Sequence, residues 1–292
     1  MKIRSIILAF FLFPIFVLSQ QDSTISINEI NEPKFLFEIF YGAGLPVNKN
    51  IDIVFNNTGN FNSEISILLQ GLNHFFPGSG MKLNEYFKFG IDIGYYSNKL
   101  YILTSQNEKI NSKLISIKPE VFYTWGFEFK NFKLIPYVNI PIYNLFNNLN
   151  FFSYKTNLDI DTKNLELFSE NVKAGYSRNN GLMINLYNKY VINLNYEHSL
   201  IYPKHLMLKD LGSWSIDVGS YLSANILSFL FFNPEKKTLT NKIGFIVMNY
   251  ILQSSASLGM QLIRKSKGMN WPFTSEKPLS IESFRIGAGI IF

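Results

Sequence analysis

SIESFRIGAGIIF, residues 280–292, alternates in polarity to its last residue. Phe284, Ile286, Ala288, Ile290 and Phe292 fall on one face, and Ser283, Arg285, Gly287, Gly289 and Ile291 on the other, because successive side chains of a strand point to opposite sides. A soluble edge strand with an exposed aromatic at its end frays and invites pairing with other chains. A strand that closes a barrel in lipid has reason to look like this. Closure satisfies its backbone groups, and its apolar face meets acyl chains.

The other end of the chain agrees. Lys2 and Arg4 precede an apolar run over residues 6–18 broken by Pro14, with Val17 and Ser19 at the small-residue positions of a cleavage site. Such a run is too short to cross a bilayer comfortably and has the flanks of a secretory leader. The expectation is a signal peptide at 1–19 and one barrel domain at 20–292. No cysteine follows the leader, and the sequence holds Cys 0. A lipid-modified N-terminus and a disulfide framework are both excluded.

Residues 284, 286, 288, 290 and 292 together resemble the C-terminal signal strand of bacterial outer-membrane β-barrels. The resemblance implies the outer membrane of a Gram-negative bacterium, lipid and lipopolysaccharide around the wall, and recognition of this strand by the barrel assembly machinery. The Asn-, Ile-, Lys- and Phe-heavy composition resembles that of AT-rich bacterial genomes such as those of Bacteroidota.

Composition points the same way. Hydrophobic residues make up 47% of the chain, with Phe 28 and Tyr 16, the aromatic load that interfacial girdles need. Beyond the leader we read no uninterrupted apolar run that would make a transmembrane helix. Loss of Lys2 and Arg4 with the leader lowers the formal charge from +6 to +4. Without a dense basic motif this is no nucleic-acid signature.

Spanning strands alternate lipid-facing and lumen-facing positions. Residues 114–129 show it best: Ile115, Ile117, Val121, Tyr123, Trp125 and Phe127 against Ser116, Lys118, Glu120, Thr124 and Glu128. Lys130-Asn131 then turns into a strand at 132–143, and Asn188-Lys189 makes a second tight turn. The same alternation predicts strands at 35–44, 61–72, 86–96, 191–198 and 213–227, with longer turns at 75–83 and 232–241. Long polar loops are expected at 46–60, 104–112, 147–164, 202–211 and 265–279. With both termini on the short-turn side the strand number is even. The reading is an all-β, transmembrane antiparallel up-and-down barrel of about ten strands. Splitting 165–187 at Asn179-Asn180-Gly181 and 242–264 near 253–257 gives about twelve as the alternative.

The inner faces collect Glu38, Glu64, Lys88, Asp92, Lys118, Glu120, Lys173, Glu197, Asp217 and Arg285. Charges in a narrow lumen must be paired or hydrated, so mixed signs predict an internal salt-bridge network. Bulky Phe40, Phe122 and Tyr221 on the same faces argue for a filled lumen rather than a pore. A hydrated pathway with a selectivity ring is the competing reading.

Catalysis has weak candidates. Glu197-His198-Ser199 invites comparison with outer-membrane lipid hydrolases, but adjacent strand residues point apart, and the Ser-Asn-Gly that follows the catalytic His in the phospholipase family is missing. Asp159 and Asp161 have no neighbouring His for an omptin-like protease, with His74, His198 and His205 all distant in sequence. Residues 158–161 lack the Gly and bidentate Glu of a calcium loop, and there is no Cys or paired His for zinc. We therefore expect no enzyme, cofactor or metal. The expected work is that of a structural or interaction barrel, with loops 147–164 and 265–279 meeting an outer-membrane protein, glycan or lipopolysaccharide. A small porin is the alternative, and a rim hydrolase comes third.

Overall fold

The computed structural model describes residues 33–47, 58–76, 81–97, 110–140, 148–156, 166–169, 171–204, 207–232 and 238–292. The leader, His205, Asp159 and Asp161 lie outside them, as do most of the loops at 46–60 and 104–112 and the side chain of His74.

Among the described residues nine strands form one closed antiparallel sheet: β1 Lys34–Val47, β2 Thr58–Phe76, β3 Met81–Ser97, β4 Ile110–Glu128, β5 Phe132–Val138, β6 Asn148–Thr156, β7 Lys173–Leu186, β8 Tyr190–Ile201 and β9 Leu279–Ile291. Closure runs through β9, which pairs with β1 on one side and β8 on the other. β5 and β6 share one place between β4 and β7. β5 pairs with Phe127 and Glu128 of β4, while β6 pairs with residues 110–117 of the same strand. The barrel thus has eight places, not ten or twelve.

The difference has a definite source. The strand expected at 213–227 and the long span at 242–264 are helices, α1 Met207–Phe231 and α2 Leu239–Lys267. The stretch where the twelve-strand alternative places a turn, 179–181, runs straight through as β7. Part of the loop expected at 147–164 is β6, which completes the place that β5 begins.

Short connections at 77–80, 129–131 and 187–189 share one end of the barrel with Lys34 and Phe292. Tyr187 and Asn188 have φ 53 and 57, and the Lys189 amide donates to the Leu186 carbonyl. This is the mirror-image turn whose twist suits a two-strand hairpin. Val47, Thr58, Ser97, Ile110, Ile201 and Leu279 mark the opposite end.

Period-two alternation fixes which side chains face out. Phe37, Ile39, Ile65, Ile67, Phe89, Ile91, Ile93, Ile192, Leu194 and Ile286 are exposed on the outer wall. Aromatics fringe this belt: Phe35, Phe132, Tyr190 and Phe292 toward the short turns, and Tyr41, Phe61, Phe151 and Phe284 toward the long connections. A soluble barrel has the reverse polarity.

Candidate functional site

The lumen is stacked in layers. Near the short turns Leu36, Leu68, Ile135, Met183, Val191 and Ile291 pack with Tyr86 and with Phe122 stacked on Tyr137 at 4.6 Å. Near the long connections Tyr96, Leu114, Phe152, Ile201, Leu279 and Ile281 pack around Phe168. Between these apolar layers lie the charges.

Lys88 bridges Glu38 and Glu64, the second at 2.8 Å, and Asn193 donates to Glu38 at 3.0 Å. Lys118 reaches Glu197 at 2.6 Å, Asp92 at 3.3 Å and the Tyr96 hydroxyl at 2.7 Å. Arg285 reaches Asp92 at 2.7 Å, Glu197 at 2.9 Å and Glu120 at 3.6 Å, with its guanidinium 5.1 Å from the Phe40 ring centre. Asn62 and Asn195 add bonds to Asp92 and Arg285, and Asn179 donates to Glu120. A buried carboxylate is tolerated only with such partners. The Phe40 ring lies where a side chain at Gly287 would go, its atoms 2.4 Å from the position of an added Cβ. A small residue there lets the two strands fill the interior without a clash.

Eight of the ten charges placed on inner faces by sequence meet in this network. Two do not. Lys173, at the outer end of β7, donates to the Pro203 carbonyl at 3.4 Å. Asp217 is on α1, outside the barrel, because that segment is helical. Tyr221 leaves the lumen for the same reason. Tyr96, Tyr137, Asn62, Asn179, Asn193 and Asn195 join the network without having been singled out, although alternation alone places them inward.

His198 and Ser199 point to opposite faces. Ser199 donates inward to Glu197, whereas His198 sits across from Glu282 on the outer wall. They form no nucleophile–base pair.

The second feature is on the outside. Leu83, Trp125 and Phe127 have outward parity, yet they pack against Phe232, Phe245 and Ile246. Tyr176, outward on β7, clusters with Leu200, Tyr202 and Met269. The helices therefore lie on the outer wall, with the Phe232 and Phe245 end by Leu83 and Phe127 and the Met269 end by Tyr176 and Tyr202. Arg264 of α2 holds Asp217 at 2.8 Å and Ser213 at 2.8 Å of α1, its guanidinium 4.9 Å from the Tyr176 ring centre. Arg178 donates to the Tyr176 hydroxyl at 2.6 Å. Just past β8, burial pushes the Tyr202 phenol well up.

Polarity inside the lumen, apolarity outside and fringing aromatics define a membrane-spanning barrel. The chain is a closed antiparallel β-barrel with its apolar face outward. No protein-family model matches the sequence, and no curated protein matches it. Among solved structures it is similar to Neisserial surface protein A, at 10% identity over 90% of this chain and 100% of that one, with TM-score 0.39. It is also similar to Ail, the attachment invasion locus protein of Yersinia pestis, solved with the heparin analogue sucrose octasulfate, at 10% identity over the same shares and TM-score 0.35. Ail is an outer-membrane protein whose backbone is also known in a phospholipid bilayer nanodisc.

Proposed function

We propose that this protein is an integral outer-membrane barrel of a Gram-negative bacterium with a closed lumen, acting as a structural or interaction protein and not as a channel or an enzyme. One observation carries the reading: a buried, ion-paired charge network lies between two apolar layers of the barrel interior. Eight strands enclose a space that side chains just fill. The terminal strand presents Phe284, Ile286, Ala288, Ile290 and Phe292 outward, which suits recognition by the assembly machinery. The wall suits lipid and lipopolysaccharide, and the outer connections are the surface for an outer-membrane partner.

Planar-bilayer recording of the refolded protein tests the closed lumen. Protein with the heat-modifiable mobility of a folded barrel should give no single-channel steps. Steady ion-selective steps would make it a porin and turn the inner charges into its selectivity ring.

A further inference from the structure

We propose that α1 and α2 form a transmembrane helical hairpin that crosses the same bilayer beside the barrel, its outer face meeting lipid acyl chains. The inference rests on the membrane reading of the barrel and adds a second kind of spanning element to it.

Four observations converge. The helices are inverted relative to soluble ones. The buried stripe of α1 is Asp210, Ser213, Asp217, Tyr221, Ala224 and Ser228, and α2 buries Lys242, Gln253, Ser257, Gln261 and Arg264 beside Phe245, Ile246 and Met260. The exposed side carries Leu211, Leu222, Ile226, Leu230, Val247, Ile251 and Leu262. A soluble helix exposes its polar face to water, whereas one in lipid hides it against protein and joins helices by polar contacts. Gln253 donating to Asn225 at 2.8 Å is such a contact, as is Arg264 with Asp217.

Charge distribution agrees. Residues 243–263 contain no Asp, Glu, Lys or Arg, and between Asp210 and Phe231 the only one is the buried Asp217. Residues 240–267 have a mean hydropathy of 1.2 in the most apolar window. Lys209 at one end of α1 and Lys267 at the end of α2 fall on the long-connection side, where basic side chains can reach the interface, while Lys265 there pairs with Glu282 of β9 at 2.6 Å.

Length fits too. At about 1.5 Å per residue, α1 alone is about 37 Å long, enough for a hydrocarbon core of about 30 Å. Hydroxyls on the exposed side are satisfied within the helix: Ser215 donates to the Leu211 carbonyl at 2.9 Å and Ser223 to the Gly219 carbonyl at 2.7 Å. This is what a dry environment demands.

Finally, the wall matches its cover. Glu85, Arg178 and Asn180 have outward parity in the wall and are buried. They lie on the β3–β4 and β7 side that the hairpin faces. On β1, β2 and β9 outward Phe37, Ile39, Ile65, Ile67, Ile286 and Ile290 are apolar and bare. Polar wall residues under the hairpin and apolar ones elsewhere are expected if both surfaces share one membrane.

The sequence holds Cys 0, so single-cysteine variants in oriented phospholipid vesicles give a clean test. Leu222→Cys and Ile251→Cys should react at least about tenfold more slowly with a charged, impermeant maleimide than Lys209→Cys and Thr238→Cys. The latter two should react from opposite sides of the membrane. A bimane placed at Leu222 or Ile251 should be quenched by lipids brominated on the acyl chain. Ile91→Cys, whose side chain is exposed on the outer face of β3, is the control. Fast reaction at Leu222 and Ile251 with Ile91 protected would overturn the hairpin alone. Fast reaction at Ile91 as well would overturn the membrane reading of the barrel. Protection without quenching would show protein, not lipid, on the hairpin and would also overturn the proposal.

Discussion

Replacing Arg285 with methionine should destabilise the barrel by about 3–5 kcal/mol, the cost of breaking a buried ion pair from one side. Arg285 is the shared cation of Asp92, Glu197 and Glu120. Without it Lys88 and Lys118 remain as the network's cations, facing five carboxylates between two apolar layers. Methionine keeps most of the volume, so the loss reports charge and hydrogen bonds rather than a cavity. Arg285→Lys should fall in between, because an ammonium keeps the charge but cannot reproduce the planar fork. Adding Asp92→Asn to Arg285→Met should recover part of the loss. Denaturant titration in lipid vesicles, followed by gel mobility, measures each step. Equal midpoints for wild type and Arg285→Met would mean that the network does not hold the barrel closed.

Arg264→Met should release the hairpin and leave the barrel standing. Asp217 would then be an unpaired carboxylate in the seam between helix and wall, with an expected cost again of about 3–5 kcal/mol. Detachment should expose α1 and α2 to protease and lower the helical signal, while heat-modifiable mobility persists because β8 and β9 pair along their length. Asp217→Leu combined with Arg264→Met should reattach it, since a well-packed apolar pair often equals or exceeds the ion pair it replaces. If the double variant is as protease-sensitive as the single one, the ion pair is not the fastening.

What the sequence discloses follows its periods. In the barrel the two-residue repeat assigns each side chain to lumen or lipid, so Glu38, Asp92, Lys118 and Arg285 are legible as neighbours although they lie far apart in the chain. The same repeat misleads at 213–227. There Trp214, Ile216, Val218, Leu222, Ala224 and Ile226 alternate with Ser213, Ser215, Asp217, Gly219, Ser223 and Asn225, imitating a strand. The helical stripe at 211, 222, 226 and 230 hides within that alternation because its buried counterpart is made of Ser, Asp and Ala. Uncharged Ser and Gln in 253–261 likewise break up the apolar run of α2. Arg178 and Glu85 held the missed clue. A charge at lipid-facing parity in the wall requires a cover.

An inside-out barrel keeps its apolar wall in lipid. Bimane fluorescence from Ile65→Cys, on the wall away from the hairpin, tests it most directly in vesicles of acyl-brominated phospholipid. Blue-shifted emission is expected, quenched strongly by brominated lipid and not by aqueous iodide. Water-like emission quenched by iodide and indifferent to bromine would contradict the membrane reading of the barrel.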